Sequence, residues 1–61
     1  MELKEGDLLI VKQHYEPTCI GHVLMFLYRF DTNTNFMYCR NLATGEGNIY
    51  LEQEVEKLEK K

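Results

Sequence analysis

The chain has 61 residues, ten acidic side chains against seven basic ones, and a net charge of −3. A chain of this length makes one domain, 1–61, that buries only ~60% of the surface its unfolded form exposes, which leaves little volume for an enclosed substrate cavity and argues against catalysis. The acidic balance argues against a protein whose main task is gripping phosphates, since Lys and Arg contacts supply that affinity.

The first five residues, Met1-Glu2-Leu3-Lys4-Glu5, lack the basic and then apolar segments of a secretory signal. Glu5-Gly6-Asp7 reads as a turn into a short apolar strand, Leu8 to Lys12. The segment 13–18 contains His14, Tyr15, Glu16 and Pro17 and breaks the pattern, which predicts an ordered loop. Next comes the longest apolar run, from His22 to Phe30. With period two, Leu24, Phe26, Tyr28 and Phe30 share one face, while Val23, Met25 and Leu27 share the other. Both faces ask for cover, yet the run is far too short to cross a bilayer as a helix, so a cytoplasmic protein is expected.

The polar stretch 31–35 predicts a turn, followed by a strand from Phe36 to Leu42 whose parities are Phe36, Tyr38, Arg40, Leu42 and Met37, Cys39, Asn41. A tight turn at 44–48 is expected to take positive φ at both Gly45 and Gly47 before the brief strand Ile49-Tyr50-Leu51. The tail is either an amphipathic helix through Val55 and Leu58 or a single helical turn at 52–54 followed by a closing strand 55–58. The second arrangement is preferred.

His14, Cys19, His22 and Cys39 are residue types that bind zinc, but their spacing matches no familiar finger. No metal or other cofactor is expected, and both cysteines are read as free, packed thiols. Cys19 and His22 lie three apart, hence on opposite faces of a strand, and carry no sign of a thiol nucleophile. The acids at 52, 54, 56 and 59 lack a calcium-loop pattern and read as a solvated face. Four tyrosines and three phenylalanines are generous for this length. In the plain packing scheme Phe26, Phe30 and Phe36 fill the core and the tyrosines rim it. In the binding scheme the tyrosines form a patch for another protein, because they bring area with a polar tip.

Gly6-Asp7, Leu9 and Val11, the loop 13–19, and then Gly21 and Val23 resemble the opening of the KOW and Tudor-like branch of small SH3-like barrels. The Thr44-Gly45-Glu46 hairpin and the closing Val55-x-x-Leu58 add to the likeness. The resemblance implies an all-β, five-stranded SH3-like barrel with a short helical turn near the C-terminus. The short length and Asn/Thr-rich turns also resemble small accessory proteins of phages, which bind and redirect a host protein. The expected function is therefore a non-enzymatic protein-binding module, a small regulator or inhibitor. Its contacts are assigned to Tyr15, Glu16, Tyr28, Tyr38, Glu46 and Tyr50, with acids steering a basic partner. The alternative is a KOW-like nucleic-acid binder acting in transcription or translation through Lys12, Arg29 and Arg40, with tyrosines stacking on bases. A homodimer through the central strand is compatible with either.

Overall fold

Short β-branched and aliphatic runs separated by polar turns fold here into one antiparallel sheet. In a computed structural model that describes residues 2–30 and 35–58, the strands are β1 (Leu8–Val11), β2 (Val23–Arg29), β3 (Phe36–Asn41), β4 (Gly47–Leu51) and β5 (Val55–Lys57). Their spatial order is β4-β3-β2-β1-β5. The only helical pieces among the described residues are two single 3-10 turns, Pro17–Cys19 and Glu52–Glu54. The second one, with β5 after it, is the turn-then-strand reading of the tail. Of the predicted polar turn 31–35, only Asn35 is among the described residues.

The inner face carries Leu9, Val11, Leu24, Phe26, Met37, Cys39, Tyr50 and Val55 in one buried cluster, with Leu3 and Cys19 packed against it. All five strands contribute, and among the described residues no helix layer covers them. A sheet can dry one face without a second layer only by curling around it. Among the described residues no ladder joins β4 to β5; they are linked through the second 3-10 turn, which is tied to the end of β1 by Lys12 N–H and Gln13 N–H donating to Glu54 O at 2.8 and 3.2 Å.

The β2–β3 register corrects the simple alternation read from the sequence. Leu24 faces Asn41 and Phe26 faces Cys39, but Tyr28 then faces Tyr38 and Arg29 faces Met37. One extra residue sits between Phe26 and Tyr28, a β-bulge, and it inverts the parity of everything after it. Tyr28 and Phe30 therefore leave the Leu24–Phe26 face for the Val23–Met25 face. Arg29 takes the inner side, where its Nη2 lies 3.4 Å from Glu52 Oε1 with both side chains largely covered.

Asn41 is the polar member of the core, 2% exposed. Its Oδ1 accepts from the N–H groups of Ala43 and Thr44 at 2.8 and 3.3 Å, an Asx turn that starts the β3–β4 hairpin. Those two bonds fix the amide orientation, so Nδ2 donates to Tyr50 Oη at 3.3 Å and to His22 Nδ1 at 3.1 Å. The hairpin closes with Gly45 N–H donating to Asn41 O and Asn41 N–H donating to Glu46 O, both 2.7 Å. Two residues opposing one, with Gly45 at φ 79°, make the glycine bulge that sequences of this kind favour. Gly47, expected to share the positive φ, does not have it.

Candidate functional site

What Gly47 supplies is room. A methyl group there would overlap the Tyr38 phenol, which lies across the glycine from the neighbouring strand. With Tyr38 so placed, Tyr28 stacks on it, ring centroids 5.2 Å apart and planes 23° from parallel. Phe30 meets both rings edge-on, at 5.4 and 6.3 Å. Phe36 and Ile49 lie beside them, and Tyr28, Phe30, Phe36 and Ile49 all remain about half exposed. Half of four large side chains leaves an apolar patch on the order of 400 Å², within the range in which exposed patches mark contact sites.

Around the edge of β4 this face runs into a groove of about 480 Å³, whose other wall is the loop after β1. Glu16 N–H donates to His14 Nδ1 at 3.0 Å, folding the loop back on itself. The His14 ring stacks on Tyr15 at 4.4 Å and tilts against Tyr50 at 5.7 Å. Tyr15 stands 83% exposed above the groove. The neighbouring Glu16 carboxylate raises the Tyr15 phenol above its ordinary value.

The residues singled out from the sequence divide as follows. Tyr28 and Tyr38 come together on the outer face, and Tyr15, Glu16, Tyr38 and Tyr50 line the groove. Glu46 lies at the hairpin end of β4, its N–H donating to Thr44 Oγ1 at 3.3 Å. Tyr50 differs from the expectation of a rim contact: it is 2% exposed, because its parity on β4 matches Met37 and its hydroxyl accepts the Asn41 amide. Phe30 and Phe36, assigned to the core in the plain packing scheme, are on the outer face. The bulge moves Phe30, and the inward parity of β3 belongs to Met37, Cys39 and Asn41. Neither event has a signal in the alternation pattern, since both faces of β2 are apolar.

Lys12, Arg29 and Arg40 are not gathered. Lys12 Nζ lies 3.4 Å from Glu56 Oε2, Arg29 is on the inner side with Glu52, and Arg40 Nη1 reaches Gly45 O at 3.4 Å from the outer face. Among the described residues no three His, Cys, Asp or Glu side chains converge as metal ligands. Cys39 and Cys19 carry free thiols, and burial pushes the Cys39 thiol up to about 11. No helix among the described residues is long and apolar enough to cross a membrane. Comparison with protein-family models, curated proteins and solved structures gives no match to this chain, so the role of this surface is argued from its own residues.

Proposed function

We propose that this protein is a non-enzymatic module of the SH3-like kind that binds another protein through the outer face of β2, β3 and β4 and the groove beside it. The single observation that carries the proposal is the half-exposed aromatic cluster of Tyr28, Phe30 and Phe36 around Tyr38. A patch of this size is among the largest that monomeric proteins expose, and such patches often serve binding. Support for the SH3-like assignment comes from the strand order, the long loop after β1 and the 3-10 turn immediately before β5. Binding, with the role of a small regulator or inhibitor, suits a domain with a shallow groove and acids spread along its rim.

The test is affinity capture from lysate, with and without nuclease, using the native chain beside a Tyr28→Ala, Phe36→Ser double variant. A protein retained by the native chain in both samples and lost by the folded variant supports the proposal. Retention that collapses with nuclease overturns it in favour of nucleic-acid binding, and equal retention by the variant overturns the assignment of the surface.

A further inference from the structure

The aromatic patch is smaller than the ~800 Å² that each partner contributes to a standard interface, so recognition needs a further source of affinity and direction. The β4 edge supplies one. In the β3–β4 ladder, Asn41 N–H donates to Glu46 O at one end and Glu52 N–H donates to Asn35 O, at 2.9 Å, at the other. Hydrogen-bonded and non-hydrogen-bonded pairs alternate along an antiparallel ladder. Between those two fixed ends, Asn48 and Tyr50 bond inward to β3, and the N–H and C=O groups of Gly47, Ile49 and Leu51 point outward. The Leu51 N–H confirms the parity by donating to Glu54 Oε1 at 3.0 Å. No backbone hydrogen bond from elsewhere among the described residues reaches Gly47 or Ile49.

The two edges of the sheet are treated differently. On β5, Glu56 and Lys57 are engaged with Lys12 and Asp7, at 3.4 and 3.5 Å, so charge guards that edge. β4 has five residues, Gly-Asn-Ile-Tyr-Leu, without a charge or a proline. Its open backbone borders the groove whose far wall is Tyr15 and Glu16.

Resting on the protein-binding reading above, we infer that the partner contributes an extended segment that adds to β4 as an antiparallel strand, with an uncharged centre and Lys or Arg at its flanks. The outward backbone groups specify an extended chain as ligand. The flanks follow from charge: Glu46 precedes β4, Glu54 follows it, and Glu16 stands across the groove. Of the nearby cations, Arg29 and Glu52 balance each other, and Arg40, against the neutral Gly45 O, offsets only part of the acidic charge. A second copy of this chain is the poorer occupant. Pairing β4 with itself about Ile49 keeps the outward parity but sets Glu46 directly opposite the other copy's Glu52 at both ends of the ladder, which is destabilising.

The probe is a synthetic peptide, Thr-Val-Thr-Val-Thr with a lysine pair at each end, compared with a glutamate-flanked twin and with a version N-methylated at alternate backbone amides. Binding is followed by amide exchange and chemical shifts of the native chain. The expected result is slowing of Gly47 and Ile49 amide exchange by about tenfold at saturation, and loss of about tenfold in affinity on N-methylation. The Ile49→Pro variant, which removes an outward N–H at a position where an edge strand tolerates proline, loses a similar amount, while Ile49→Val does not. Shifts confined to Tyr28, Phe36 and Tyr38, with unchanged exchange at Gly47 and Ile49, overturn strand addition and leave the protein-binding reading standing. Equal binding of the glutamate-flanked twin overturns the charge assignment. Absence of binding by every peptide overturns the inference, and protection of the same amides in a dimer without peptide assigns the edge to a second copy.

Discussion

Asn41 ties the inner face to the hairpin, and its energetics are set by what it leaves behind if removed. Replacement by alanine removes the acceptor of the Ala43 and Thr44 amides and takes from the buried Tyr50 hydroxyl its Asn41 donor. Asn41→Ala is expected to destabilise the fold by about 2–3 kcal/mol, read as a lower urea midpoint at unchanged slope. Cys39 makes a different prediction. Its thiol ordinarily titrates near 9 and is raised to about 11 by burial, so the folded state holds the proton more tightly than the unfolded one. Its contribution is present in full below about 9, and is lost as pH rises toward 11. Melting temperatures of the native chain and Cys39→Val are expected to diverge progressively between those values, with the native chain losing more. The same burial should delay reaction of Cys39 with a thiol reagent until unfolding, while half-buried Cys19 reacts sooner.

At the scale of single elements, the β3–β4 hairpin holds two glycines that matter for unrelated reasons. Gly45→Ala forces an alanine into left-handed backbone and is expected to cost about 1 kcal/mol without disturbing the aromatic stack. Gly47→Ala is expected to push Tyr38 off its seat, separating it from Tyr28 and altering the near-ultraviolet circular dichroism. Seen from sequence alone the two are indistinguishable, because local turn chemistry explains Gly45 but only a cross-strand neighbour explains Gly47. The same limit applies elsewhere. β1 and the turn-and-strand tail were legible because composition and period two act locally. The reversal of Tyr28 and Phe30 was not, since alternation on a strand with two apolar faces has no preferred register. Tyr28 and Tyr38 were named as contacts from residue type alone, and the structure places the two rings together. Phe36 and Ile49 were missed because large apolar residues are assigned inward by default.

For the molecule as a whole, a net charge of −3 includes Glu16 in the groove wall and Glu46 at the hairpin end of β4, beside a mainly apolar sheet face that also carries Arg40. Such an arrangement affects encounter more than residence. Charge reversal at Glu16 or Glu46 is expected to slow association with a lysine-flanked strand by roughly two- to fivefold at low ionic strength, with the dissociation rate nearly unchanged. The difference should fade as added salt shortens the Debye length below the separation of the charges. A gap that persists at high salt would mean that these carboxylates make direct contacts and do not merely steer.

The extra residue between Phe26 and Tyr28 makes this stretch of the chain tolerant of a change in length. Loss of the Leu27 codon would restore strict alternation while keeping the pairs Phe26 with Cys39 and Tyr28 with Tyr38, so both aromatic rings would stay outward and the guanidinium inward. Gene variants of this domain that differ by that one deletion would therefore present the same face to a partner. An indel at this place can be carried along a lineage without remaking the binding surface, a freedom that no point-substitution scan reveals.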